Sequence, residues 1–539
     1  MRIAWQILAL GLASLLAPGM VCAADGEPLP PGRGGKVKEK WLHSYTGGKG
    51  PVESPQKIDA FLGILRQQMP PLTNERGDRW PLLLWGTIPE RLKEACVERG
   101  LGPLLNYCSS PRRAEEILPT LRYFSERGVP LVILPQGWMQ RAFTDPPRGA
   151  GADHLPPARP HSDSRDFTCP GWMHENPAVQ THAENARRTC RFLRENGIRP
   201  AALFLDFESG AYLRNIFDRE EHVRAAMEEA LKCPRCLRRF GAENMDSLQQ
   251  YRQVVNRARA HAIRTGFTDP VRAVFPNVKT GNFFAYPRYR LPRPEGRYPA
   301  YGWKGSGMDV AQPRCYFVAG WGGNGRSVPH VSWNVFSYCL RRFSRCAGVL
   351  EDDETMVPWV GYLFGHAASR KKAARGAQIA SSEAYREMVR HVMLRGAETL
   401  AIFNPYELTD RLPDEYEGME RAELGPWMLN VRDIQQAYDE MLAFNDILRS
   451  GRPLNLDLPP DTTELDERTA IWSGVATEKE ALVRTVSFGP ELSKTIVVFG
   501  RKVELPFGRE GRFFRLTPDG QVRAQTAGTG RTQTTPGTR

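Results

Sequence analysis

Eight short apolar runs, separated by helical patterns, constrain this chain more than any other feature of it. The runs are "WPLLLWGTI" (80–88), "GPLLNY" (102–107), "VPLVILPQGW" (129–138), "AALFLDFES" (201–209), "VRAVFPNV" (271–278), "MDVAQPRCYFV" (308–318), "VPWVGYLFG" (357–365) and "ETLAIFNPYE" (398–407). Helix-like segments intervene at 89–99, 112–127, 179–196, 220–232 with 244–264, 331–347 and 379–395, and another follows at 429–449. Continuous apolar runs are the mark of parallel strands buried on both faces. Strand followed by helix, repeated eight times, predicts an α/β fold of the closed (β/α)8 TIM-type barrel. The alternative, a doubly wound open sheet, calls for a Gly-rich phosphate loop after the first run, where the chain reads "GTIPERLKEA".

Composition divides the rest. The start, "MRIAWQILALGLASLLAPGMVCAADGE", has a charged residue, an apolar stretch, a Pro-Gly break and small residues, which predicts a signal peptide at 1–23 and a secreted or periplasmic protein. An uncleaved membrane anchor is the alternative, and no other run is long and apolar enough to span a bilayer. A Pro/Gly-rich leader (24–55), the barrel (56–455), a small C-terminal antiparallel β domain (456–520) and a disordered tail (521–539) complete the expected plan.

Barrel enzymes carry their sites where the strands end. The runs end on Trp85, Asn106 and Tyr107, Gln136 and Trp138, Asp206 and Glu208, Asn277 and Lys279, Tyr316, Tyr362, and Asn404 with Tyr406 and Glu407. Aromatic rings that stack on sugar faces, amides that fork hydrogen bonds to hydroxyls, and a few acids point to a carbohydrate site. The same aromatics also serve as core residues and strand caps.

The sharpest feature is the acid pair. In a strand, residues i and i+2 share a face, so Asp206 and Glu208 stand together where the fourth run ends. Cleaving a glycosidic bond needs an acid on the leaving oxygen and a second group to stabilise or trap the cation at the anomeric carbon. Two neighbouring carboxylates repel, which favours keeping one protonated. Glu208, with the longer reach, is assigned the general-acid role and Asp206 the partner role. The alternative is a structural pair that caps a helix or meets an Arg such as Arg214.

An Asp-x-Glu at the end of the fourth barrel strand is similar to the pattern of hyaluronidases and family 18 chitinases. The resemblance implies that Glu208 donates the proton while Asp206 orients the substrate's own N-acetyl group as nucleophile. It also implies that Tyr316, with Gln312 before it, assists that group. It covers one short motif and the barrel layout: Phe204 and Ala201 stand where the chitinase motif has further Asp residues, and Ser209-Gly210-Ala211 where hyaluronidases have a Trp-Arg-Pro-like stretch. Glu407, if it faces inward, would supply a second carboxylate and a conventional two-acid mechanism.

Other features point elsewhere or nowhere. The net charge of +12 suits an anionic glycan or cell surface better than nucleic acid in an exported protein, although scattered Arg residues also serve solubility. Cys233 and Cys236 in "KCPRCLRRFG" have metal-knuckle spacing but no second pair, so a disulfide or two buried thiols is the expectation. The segment 139–178 gathers Asp153, His154, His161, Asp163, Asp166 and His174, which reads as a site wall; metal ligation there is the lesser alternative. No metal and no cofactor are expected. The sequence thus predicts a glycoside hydrolase with Glu208 and Asp206 catalytic. Tyr316, Tyr362, Trp138, Trp85, Gln312, Asn404, Tyr406 and Glu407 are the expected substrate-binding residues. A carbohydrate-binding or cell-surface barrel without catalysis is the alternative.

Overall fold

The structure, a computed structural model, describes residues 62–63, 65–66, 69–85, 88, 90–106, 110–134, 170–205, 220–283, 303–317, 327–362, 380–402 and 425–525. Ten parallel segments form one sheet: β1 (Leu82–Trp85), β2 (Leu101–Asn106), β3 (Val132–Leu134), β4 (Ala202–Leu205), β5 (Lys279–Asn282), β6 (Val310–Ala311), β7 (Arg314–Phe317), β8 (Thr355–Met356), β9 (Trp359–Tyr362) and β10 (Ala401–Ile402). Their order is β7-β9-β10-β1-β2-β3-β4-β5-β6-β8. The two ends of that order are joined by the chain itself, since β6 runs into β7 and β8 into β9. Pro313 and Pro358, which have no N–H to give, interrupt the ladder at each junction. Val357 N still donates to Ala311 O (2.8 Å) and Trp359 N to Pro313 O (2.9 Å) across the breaks. The ten segments are therefore eight staves of a closed barrel.

Side-chain alternation sorts the staves into two cores. Leu83, Leu104, Val132, Leu134, Ala202, Phe204, Phe283, Val310, Val357, Trp359 and Ala401 fill the barrel, with Trp80 and Trp85 against them. Their strand neighbours, such as Leu82, Leu84, Ile133, Leu203, Leu205, Met356, Val360 and Ile402, face the helices. Those helices are α1 (Lys93–Glu98), α2 (Pro111–Ser125), α3 (Pro170–Glu175), α4 (Pro177–Glu195), α5 (Glu220–Lys232), α6 (Pro234–Phe240), α7 (Leu248–Ile263), α8 (Asp269–Arg272), α9 (Val328–Ala347), α10 (Ser382–Met393), α11 (Gly425–Leu442) and α12 (Asn445–Ser450). Ser110, Asn176, Ser247 and Ser381 each accept a backbone N–H at a helix start, so the sequence marks those starts with cap residues.

The fifth stave corrects the sequence expectation. Residues 271–278 are not the strand: α8 continues from α7 through a π-helical turn (Arg264–Thr268), and Val271, Val274 and Phe275 are buried at helical spacing. The strand is β5, whose "KTGN" carries little apolar signal. Lys279 consequently lies at the start of a stave, beside Asp309 (3.5 Å), and not at the C-terminal rim.

Beyond the barrel, β11 (Arg452–Pro453), β12 (Ala470–Ala476), β13 (Ala481–Ser487), β16 (Arg512–Leu516) and β17 (Val522–Gln525) form an antiparallel sheet, with β14 (Leu492–Val498) and β15 (Arg501–Phe507) as a separate hairpin. The sheet begins before residue 456 and runs past 520, where the sequence placed its boundaries, because β11 and β17 complete its edges. One face packs on the hairpin through Ala481, Val483 and Phe514. The other joins the barrel core through Val475, Leu482, Val486 and Phe513.

Arg484 lies on that barrel side and meets Glu387 of α10. Its Nε donates to Glu387 Oε2 (2.7 Å), its Nη2 donates to Oε1, and Arg390 Nη1 donates to Oε1 (2.8 Å). His391 is fully buried one turn on. Ser473 Oγ accepts from Arg395 Nε (3.0 Å) and shares a hydrogen bond with His391 Nδ1 (2.8 Å). His391 is held neutral in this setting. Burial first, then Arg484, Arg395 and Arg390, hold its pKa well below the usual range. The unfolded imidazole takes a proton near its ordinary pKa of about 6.5 and the folded one does not, so this contribution to stability is full above that pH and is lost as pH falls below it. Chemical denaturation from pH 7.5 to 5.5 is expected to show stability falling with acid. His391→Gln should flatten that slope, and an unchanged slope would refute the assignment.

Candidate functional site

Inside the barrel, rings from three staves meet to form an aromatic floor. Trp85, the last residue of β1 and half-buried, meets Trp359 of β9 edge-on, with ring centroids 5.9 Å apart. Phe283, just after β5, meets the same indole edge-on at 4.7 Å. Trp359 Nε1 donates to Gln312 Oε1 at 2.7 Å. Gln312 is fully buried, and its Nε2 has no hydrogen-bond partner among the described residues. A buried amide N–H left unmet costs about 1–3 kcal/mol.

Gly281 makes this arrangement possible. A Cβ there would lie 2.7 Å from both Gln312 Nε2 and Val310 O. Gly281→Ala is expected to push the amide off Trp359 and cost about 1–3 kcal/mol. Urea unfolding with tryptophan emission as readout checks it, and a loss below about 0.5 kcal/mol would mean that the floor repacks freely.

Of the expected site residues, Trp85 and Gln312 are part of this floor, Gln312 at full depth and without surface exposure. Tyr316 and Tyr362 lie on the adjacent staves β7 and β9. Tyr316 is in register with Gly361, two residues beyond the inward-facing Trp359. Tyr362 is in register with Phe317 and follows Val360, which belongs to the outer core. Asp206, Glu208, Trp138, Asn404, Tyr406 and Glu407 lie outside the described residues. Strand-end reading missed Trp359, Phe283 and Gly281; the period-two parity of "VPWVGY" was the signal for Trp359. Among the described residues no three His, Cys, Asp or Glu side chains come together to hold a metal ion, and the His-rich stretch around His154 and His161 lies outside them. Cys233 and Cys236 are buried at the start of α6.

No protein-family model matches the sequence, and no curated protein matches it. Glycosidases are among the solved structures similar to the chain. An exo-beta-1,4-mannosidase from an Opitutaceae bacterium, strain TAV5, is 13% identical over 70% of this chain and 61% of its own, with a TM-score of 0.33. A GH42 beta-galactosidase from G. stearothermophilus is 9% identical over 69% and 58%, with a TM-score of 0.39. An Anoxybacillus alpha-amylase is 11% identical over 92% and 94%, with a TM-score of 0.38. The chain therefore spans about three fifths of the length of the first two. At these scores the likeness carries no inference about chemistry.

Proposed function

We propose that the protein hydrolyses glycosidic bonds, with Glu208 as general acid and Asp206 as its partner at the mouth of the barrel. The parity of β4 is the observation that supports this reading. Ala202 and Phe204 point into the barrel while Leu203 and Leu205 point out, and the pairing still holds at Leu205, whose carbonyl accepts from Phe283 N at 2.9 Å. We infer, by continuing that alternation, that Asp206 and Glu208 belong to the inward set, which would set them over Trp85, Trp359 and Phe283. An acid pair over aromatic rings suits an apolar sugar face below and a protonated leaving oxygen above.

In this reading Tyr316 is favoured over Tyr362 for the sugar site by its register, and Trp85 supplies the stacking surface. Trp138, Asn404, Tyr406 and Glu407 remain proposed wall residues. The substrate-assisted route of the chitinase type uses Asp206 and Tyr316. A direct two-carboxylate route uses Glu407 as well, and a carboxyl separation of about 5–5.5 Å would mark it. Export by residues 1–23 belongs to the same proposal. Among the described residues, no helix is long and apolar enough to cross a membrane.

The test is incubation of the full chain with neutral, N-acetylated and anionic glycans, scored for new reducing ends. Cleavage of one class is expected. Glycan binding with no cleavage in any class would replace this reading with that of a binding barrel.

A further inference from the structure

On the helical layer, α3, α6 and α7 bring together a cluster that the barrel mouth does not use. His174 lies in the last turn of α3 and His261 lies on α7; their rings stack at 3.5 Å, only 11° from parallel. Short α6 adds Arg235, Arg238 and Arg239, and Arg264 follows α7. The charges around the two rings are unevenly matched. Glu175 takes Arg235 (2.5 Å) and Arg238 (3.9 Å), and Asp269 takes Arg264 (3.4 Å). Among the described residues Arg239 meets no carboxylate, and its Nη2 lies 2.8 Å from His174 Nε2.

A guanidinium can only donate, so His174 Nε2 must accept, and that ring is neutral with its proton on Nδ1. Two stacked imidazoles beside an unbalanced guanidinium cannot both gain protons without added negative charge. Partial burial, then His261 and Arg239, push His174 down to about 4, and burial with Arg239 and Arg264 lowers His261. Arg239 is exposed, and both rings are half-buried, so all three are within reach of solvent.

We propose that Arg239, His174 and His261 form a binding site for an oxyanion: a sulfate, phosphate or carboxylate group. The oxyanion accepts from the Arg239 fork, which frees His174 Nε2. It also supplies the missing negative charge, so the imidazoles take up protons and become further donors. Binding is therefore coupled to proton uptake and strengthens as pH falls toward 5. The proposal does not depend on the chemistry at the barrel mouth.

The test is histidine NMR on carbon-13-labelled full-length protein, with the two resonances assigned through His174→Gln and His261→Gln. Titrations are run in sodium sulfate, sodium phosphate and sodium glucuronate, each against sodium chloride at equal ionic strength. At least one oxyanion is expected to raise the His174 midpoint by about one pH unit or more over chloride. The strongest of the three identifies the group as tetrahedral or carboxylate. Arg239→Gln should raise the midpoint without any anion and abolish the response. Equal midpoints in chloride and in all three oxyanions would overturn the site, as would an unchanged response in Arg239→Gln.

Discussion

Replacing Glu387 with glutamine is expected to destabilise the protein by about 3–5 kcal/mol, because it leaves the buried Arg484 guanidinium without its counter-charge, whereas Arg390 keeps Glu383 and Glu440. Glu387 is 1% exposed and Arg484 and Arg390 about 5%. Burial alone would raise the Glu387 pKa, but Arg484 and Arg390 outweigh it and hold the carboxyl below its ordinary range. The site has no slack: a Cβ on Gly511 would lie 2.6 Å from Arg484 Nη2 and 2.7 Å from Glu387 Oε1. Because Arg484 belongs to β13 and Glu387 to α10, the loss should loosen the terminal sheet from the barrel. Urea denaturation at pH 7.5 measures it, with Glu480→Gln as the comparison. The Arg515–Glu480 pair is one-third exposed on each side, so that variant should cost no more than about 1 kcal/mol. Similar losses in the two variants would show that the Glu387 cluster is no lock.

The second large effect concerns the acid pair. Under the proposed mechanism, Glu208→Gln keeps the size and hydrogen-bonding reach of the side chain but cannot deliver a proton to the leaving oxygen. Turnover of an unactivated glycan is expected to fall by about 10²–10⁴-fold, the usual worth of a positioned general acid. Binding should persist, since the stacking floor is untouched. Asp206→Asn should also lower turnover, because it removes the charge that favours a protonated neighbour or orients the substrate. Titration calorimetry beside a reducing-end assay separates the two quantities. Equal activity in wild type and Glu208→Gln would remove Glu208 from the mechanism.

The barrel was legible because seven of its eight apolar runs mark real staves, and helices such as 220–232 stand where the periodicity put them. The fifth run misled for a physical reason: "VRAVFPNV" is rich in β-branched and aromatic residues, yet it completes a long helix, while "KTGN" is held in the sheet by its neighbours. The proline breaks at 313 and 358 were visible as residues, but their consequence depends on pairing across the break. Parity within a run was legible and brings out Trp359, which a rule of reading only strand ends passes over. The Glu387 cluster and the His174–His261 stack were not legible. Each joins residues far apart in the chain, and "SEAYREMVRHVM" looks like an ordinary charged helix until Arg484 is seen opposite it.

The central claim, that Glu208 protonates a glycosidic oxygen, is tested most directly by varying the leaving group. Wild type and Glu208→Gln are compared on an unactivated glycan and on the dinitrophenyl glycoside or glycosyl fluoride of the same sugar, whose leaving groups need no proton. The expected result is a loss in kcat/KM, which reports the bond-breaking step, of about 10²–10⁴-fold on the first and less than about tenfold on the second. Equal losses on both, or none on either, would contradict the assignment.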